Sequence, residues 1–226
     1  MSYRIFTLVT VVSALFCLTS CKKDSPSADS AEEQAPQSAT EPVEEPVVEP
    51  VAEEPVATEP VVRTQALALG ETAPDFTLST PDQTPFHLAK QLEEGPVVLL
   101  ALRGWPGYQC PICTRQVGAF IAQADALEAA GAHVVLVYPG PAEQLVEHAQ
   151  EFVSDTTLPA NFSFVIDSDF GFTNRYGLRW DETRETAYPS TFVIDTQGIV
   201  QFAKVSQSHE GRAKMADVLT ALGELK

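Results

Sequence analysis

LRGWPGYQCPICTRQ, residues 102–116, joins two segments of opposite character. Upstream, VVLLAL (97–102) is an unbroken apolar run, the pattern of a strand buried on both faces. Downstream, from Cys110 to Ala130, Val117, Phe120, Ile121, Ala124 and Leu127 recur at helical spacing. Pro111 suits a first helical turn and Gly131 a stop. A buried strand, a short loop and a helix therefore meet at two thiols, Cys110 and Cys113, separated by one helical turn.

The alternation continues in both directions from this junction. HVVLVYP (133–139) reads as a second buried strand, and 141–154 as a helix with Leu145, Val146, Ala149 and Phe152 on one side. FSFVID (162–167) is short and strand-like, and 169–178 reads as a short helix. TFVID (191–195), the turn TQG and IVQFAKV (199–205) form a hairpin, and a last helix covers 213–225. Periodicity supports a three-layer α/β domain with a mixed sheet.

The N-terminal part is of another kind. Arg4, the apolar run IFTLVTVVSALFCL and then small residues form the pattern of a secretory signal over 1–20. Its end, LTSC, resembles the lipobox of bacterial lipoproteins, which implies lipidation of Cys21 and anchoring to a membrane without a transmembrane helix. Lys22, where an Asp would imply inner-membrane retention, leans toward the outer membrane, with the domain facing the periplasm. Residues 21–63 hold an imperfect Glu-Pro-Val repeat with 11 acids and no Lys or Arg between Asp24 and Val62. Prolines block regular hydrogen bonding and the charges repel, so an extended, disordered tether is expected, reaching on the order of 120 Å. Part of the net charge of −17 belongs to this tether, yet the folded part is also acidic, which argues against nucleic acid as a partner.

The remaining segment, 64–226, suffices for one domain with a sizeable core. Cys17 goes with the signal and Cys21 with the lipid, so the folded domain keeps the C-P-I-C pair alone.

Three stretches then carry a family resemblance across the folded domain. LGETAPDFTL (69–78) is similar to the opening of the alkyl hydroperoxide reductase/thiol-specific antioxidant (AhpC/TSA) family and of thioredoxin-like disulfide reductases. C-P-I-C (110–113) resembles the thioredoxin active site, and YPSTFVIDTQGIV (188–200) the region holding the cis-proline beside the thiols. The resemblance implies a thioredoxin-like fold, a mixed central sheet flanked by helices, with Pro189 in the cis-proline position shaping a docking groove. It also implies thiol–disulfide exchange with client proteins, an upstream thiol donor or acceptor, and no organic cofactor, because the electrons travel in the thiols. At the helix N-cap Cys110 would have its thiolate favoured by unpaired N–H groups and the helix dipole, which lower thiols from about 8.5 into roughly 3.5–7.5. Cys113 would resolve the mixed disulfide, and Arg103 would add positive field nearby.

A second register stays open. PGYQCPIC also reads as P-x-x-x-C-x-x-C, similar to the P-x-x-x-T/S-x-x-C of peroxiredoxins, with Cys113 attacking peroxide and Cys110 in place of the hydroxyl residue. Aligned on FVID, the place of the peroxiredoxin arginine holds Pro189, and Arg184 lies five residues earlier. A metal site needs more ligands than two thiols, and His87, His133, His148 and His209 are scattered. A purely structural pair is a poor staple, since so small a loop constrains little of the unfolded chain. Trp105 and Tyr108 serve either as a docking rim or as packing beneath the loop. Gln109 replaces the Trp that precedes the first thioredoxin cysteine, which puts substrate preference in doubt.

Overall fold

The computed structural model describes residues 62–225. The signal segment, Cys21 and the tether up to residue 61 lie outside them. Domain contacts begin at Arg63, whose guanidinium grips both carboxylate oxygens of Glu71 at 2.8 and 2.9 Å and whose N–H donates to Asn174 O.

One seven-stranded sheet organises the domain, in the order β2 (Pro85–His87), β1 (Thr77–Ser79), β5 (Phe162–Ser168), β4 (His133–Gly140), β3 (Val97–Ala101), β6 (Ser190–Ile194), β7 (Val200–Val205). Its centre is parallel: β3 (Val97–Ala101) lies beside β4 (His133–Gly140), and β4 beside β5 (Phe162–Ser168). On the other side β6 (Ser190–Ile194) and β7 (Val200–Val205) form the expected hairpin, with β6 antiparallel to β3. The mixed sheet flanked by helices is the thioredoxin-like arrangement.

The unbroken apolar runs are explained by two cores. Val98, Leu100 and Leu102 bury into one layer with Val134, Leu136 and Tyr138, while Val97, Leu99 and Ala101 bury into the other with Val135 and Val137. Successive side chains of a strand point to opposite faces, so a strand covered on both sides must be apolar at every position. The first layer is closed by α2 (Pro111–Ile121), α3 (Ala124–Ala129), α4 (Leu145–Val153) and α6 (Met215–Gly223).

The second layer contains elements that the periodicity did not reveal: β1 (Thr77–Ser79), β2 (Pro85–His87) and α1 (Leu88–Leu92). None spans more than 5 residues, too short for a period to register. Phe76, Phe86, Leu88 and Leu92 pack there with Phe172 and Tyr176 of the segment around α5 (Gly171–Arg175).

Two expected helices are corrected. The single helix over 110–130 is two, because Gln123 leaves helical geometry (φ −116°, ψ 18°). Its N–H turns to Phe120 O, tightening the last turn, and the step lets both Phe120 and Leu127 bury in the same core. The helix expected from residue 141 starts at Leu145, since Gln144 sits in the left-handed region at φ 58°.

Candidate active site

β3 delivers the chain to the site, and one glycine turns it. Leu102 N–H still donates to Val137 O, and Trp105 N–H donates to Pro139 O of the same neighbouring strand. Between them Gly104 has φ 73°, and a Cβ there would lie 1.8 Å from Pro139 O. Only glycine fits that approach.

The loop is then tied down on its far side. Gln109 donates to His148 O and accepts from the Tyr138 hydroxyl, each at 2.8 Å, so the residue that replaces the thioredoxin Trp anchors the approach to Cys110. Trp105 stacks on His148, with ring centroids 3.5 Å apart and planes 14° from parallel. Its ring is half-buried there. Tyr108 is exposed, with the Arg103 guanidinium 4.8 Å from its ring centre.

Cys110 is the N-cap of α2, with extended backbone (φ −91°, ψ 106°) and Pro111 following at the first helical position. Its sulfur accepts from Cys113 N–H at 3.3 Å, as a capping oxygen would. Cys113, one turn deeper, accepts from Arg103 N–H at 3.4 Å. Both cysteines are reduced and buried, Cys110 at 4% exposure and Cys113 at 1%.

The pair divides its protons unequally. The Cys113 thiol donates to the Cys110 sulfur, and despite the opposing cost of burial this, the Cys113 N–H and the charges of Arg212 and Arg103 lower Cys110 from 9.0 to about 5. For Cys113 the same hydrogen bond, burial and the negative neighbour act in the opposite direction and push its thiol well up. One sulfur is thus poised as a thiolate, and the other holds the proton.

Three further groups surround the sulfurs. Arg103 is buried at 2% exposure. Its Nε donates to Glu185 Oε2 and its Nη2 to Arg184 O, each at 2.6 Å. Arg184 therefore meets the site through its carbonyl; its own side chain is exposed, on backbone at φ 64°. Burial opposes the ionisation of Glu185, but the hydrogen bonds from Arg103 and His209 outweigh it and hold the carboxyl below its ordinary range. The second group is Arg212, on the loop after β7, whose Nη1 and Nη2 reach the Cys113 sulfur at 3.8 and 3.7 Å. The third is Gln116, which is buried between Arg212 and Thr191: its Oε1 accepts from Arg212 Nη1 at 2.6 Å and its Nε2 donates to Thr191 Oγ1 at 3.4 Å.

Pro189 is buried directly before β6, and its carbonyl accepts from Ser206 N–H. The antiparallel register pairs Ser190 with Ala101, so one step further Pro189 lies across from Leu102, next to the residue whose N–H meets Cys113. Among the described residues no group of three or more His, Cys, Asp or Glu side chains is placed to hold a metal. Of the residues named from the sequence, the structure brings together the two cysteines, Arg103 and Pro189. Sequence reasoning missed Arg212, Gln116, Glu185 and His209, and no local spacing signals them: Arg212 is 99 residues from Cys113.

Known proteins resemble this chain in sequence and in fold. Peroxiredoxin Q, a chloroplastic protein of Sedum lineare, is 29% identical over 138 residues, 61% of this chain and 69% of its own length. Among solved structures, peroxidoxin BcpB of Mycobacterium tuberculosis superposes with a TM-score of 0.52 at 23% identity, covering 70% of this chain and 97% of its own. Reduced Prx3 of Vibrio vulnificus superposes with a TM-score of 0.56 at 22% identity, covering 70% and 99%. At such identities these two likenesses concern the fold. The AhpC/TSA family model matches residues 69–203, the stretch from the N-terminal motif through both cysteines to β7. With more than half of its length so matched and a thiol pair at the centre of that stretch, the chain belongs to the AhpC/TSA family and is an oxidoreductase that works through thiols.

Proposed function

We propose that the chain is a thiol–disulfide oxidoreductase acting on protein thiols and disulfides in the bacterial cell envelope. The observation that carries this reading is the placement of two thiols at one helix N-terminus, Cys110 as its cap and Cys113 one turn below. Cys110 as thiolate attacks a client disulfide R–S–S–R′, forming Cys110–S–S–R and releasing R′–S⁻, which takes up a proton. Cys113 loses its proton and attacks the Cys110 sulfur, closing the Cys110–Cys113 disulfide and releasing R–S⁻. An upstream thiol donor returns the pair to its reduced form, or the steps run backwards and oxidise a client. Pro189 borders the groove in which the client strand lies. Lipid on Cys21 holds the domain at the outer membrane, and the acidic stretch serves as the tether.

Trapping tests the exchange reading. In a Cys113→Ser variant the first mixed disulfide cannot be resolved, so envelope proteins should accumulate on Cys110 as adducts that reductant releases. Equal adducts on a Cys110→Ser variant, or none on either, would count against it. Lipid attachment is checked separately, by labelled palmitate incorporation that Cys21→Ser abolishes.

A second reading, thiol peroxidase, is favoured by a different observation: the donors of Arg103 N–H and Arg212 converge on Cys113, the sulfur that the peroxiredoxin register makes the attacking one. The rate of oxidation by hydrogen peroxide discriminates the two.

A further inference from the structure

The two arginines beside the thiols differ in how their charge is spent. Arg103 is paired with Glu185 at 2.6 Å, and the pair is closed by His209 on the other carboxylate oxygen at 2.9 Å. Among the described residues no carboxylate lies within ion-pair distance of Arg212. Its guanidinium is nevertheless held: Nε donates to His209 O at 2.9 Å, Nη1 to Gln116 Oε1 at 2.6 Å, and both Nη atoms face the Cys113 sulfur. Gln116 is itself buried and anchored to Thr191 on β6. This is a pre-aimed, uncompensated cation, and it is aimed at the sulfur that holds a proton in the resting pair.

Resolution requires that proton to leave. While Cys110 is a thiolate, Cys113 donates to it, and a second negative charge alongside would be repelled. Once Cys110 is bonded to a client sulfur it carries no charge, and both that repulsion and that acceptor are gone. A thiolate on Cys113 then has the Arg103 N–H and the Arg212 fork as its partners, and among the described residues no carboxylate is hydrogen-bonded to the sulfur to act as its base. Resting on the exchange reading, we infer that Arg212 is the catalytic cation of the second half of the cycle, stabilising the Cys113 thiolate that resolves the mixed disulfide, while the first attack by Cys110 is largely independent of it.

The balance is complete within the exchange: Cys113–SH gives its proton to solvent, R′–S⁻ takes one up, and Cys113–S⁻ displaces R–S⁻ from Cys110. The first step is spared because Cys110, lowered to about 5, stays ionised at neutral pH even if its support weakens by a unit. For Cys113, burial still opposes the thiolate after Cys110 has lost its charge, so the support of Arg212 bears directly on it, at about tenfold in thiolate per unit while the thiol remains the major form.

The test uses 4,4′-dithiodipyridine, a neutral disulfide on which charge steering does not act, with the full chain in a Cys17→Ser, Cys21→Ser background. Two thiopyridone release phases are expected, the first from attack by Cys110 and the second from resolution by Cys113. Arg212→Met should slow the second phase about 10- to 100-fold and shift its pH midpoint upward, with the first phase within about 3-fold. Arg212→Lys, which keeps the charge, should restore much of the second rate. An unchanged second phase and midpoint in Arg212→Met would overturn the inference, as would an equal slowing of both phases that Lys does not rescue. A background protein that releases one equivalent and never forms the Cys110–Cys113 disulfide would overturn the exchange reading beneath it.

Discussion

Arg103 and Glu185 stand 82 residues apart in the chain and meet at 2.6 Å beside the thiol pair, with Arg103 buried and Glu185 shared with His209. The contact joins the end of β3 to the loop before β6, the two segments that bring Cys113 and Pro189 to the same place.

Removing one partner of this pair leaves the other charged and poorly solvated. Breaking a buried pair costs about 3–5 kcal/mol, and the partial exposure of Glu185 and its second partner His209 put Arg103→Met near the lower end, about 3 kcal/mol. Glu185→Gln retains an acceptor for Arg103 and should cost less. Urea denaturation of the oxidised forms measures both; a loss under about 0.5 kcal/mol for Arg103→Met would mean that the pair is structurally idle.

The proton distribution in the thiol pair gives a pH signature. Cys110 should be alkylated by iodoacetamide with a midpoint near the value of about 5. In Cys110→Ser the hydrogen bond and negative charge that push Cys113 upward are gone, so the Cys113 thiolate should form at lower pH than in the parent, as read by thiolate absorbance. Stability follows the same linkage. Because Cys110 is lowered in the folded state, its contribution is fully present above the ordinary thiol value of 9.0 and is lost as pH falls through about 5. The urea midpoint of the reduced parent should therefore climb relative to Cys110→Ser between these values. A flat difference would place the thiolate elsewhere.

Gly104→Ala tests whether the turn off β3 aims the loop. The new Cβ would strike Pro139 O, and φ 73° is strained for any side chain, so the variant must move the backbone between Arg103 and Trp105. A loss of about 2–3 kcal/mol is expected, with a slower first attack by Cys110. Gly107→Ala is the control: its φ of 107° carries the strain, but open space surrounds its Cβ. Equal losses at both sites would assign the effect to backbone strain alone, not to the contact with Pro139.

How far the sequence reveals this molecule depends on the range of each interaction. β3 and β4 are legible because burial on both faces favours apolar residues along the whole strand, a signal contained in five to eight residues. Cys110 and Cys113 are legible because capping is local: a thiol at the cap, Pro111 next and the second thiol one turn on. The break at Gln123 is not, since it answers to the joint burial of Phe120 and Leu127 rather than to the composition of the helix. Arg212 is hidden for the stronger reason that its partners, Cys113 and Gln116, lie nearly a hundred residues away. Arg184, suggested by its proximity to Pro189 in sequence, supplies a carbonyl where a guanidinium was sought.

Hydrogen peroxide separates the two chemistries of this family on this scaffold. Reduction of peroxide by a thiolate forms S–OH and releases hydroxide; the second thiol then displaces water to give the disulfide. The oxygen that leaves must be held by donors, and the residue types that the peroxiredoxin register asks for are displaced here. Cys110 stands at the hydroxyl position, Pro189 at the arginine position, and Arg103 is already committed to Glu185 and Arg184 O. Cys113, at 1% exposure, is covered in the reduced state. Oxidation of the reduced full chain in the Cys17→Ser, Cys21→Ser background should therefore proceed no faster than that of an ordinary thiolate, followed by the fluorescence of Trp105, with Trp105→Phe as control for Trp180. Oxidation faster by orders of magnitude, lost in Cys113→Ser and slowed by Arg212→Met, would make Cys113 the peroxidatic sulfur and Arg212 its transition-state donor, and the exchange reading would give way to peroxide reduction.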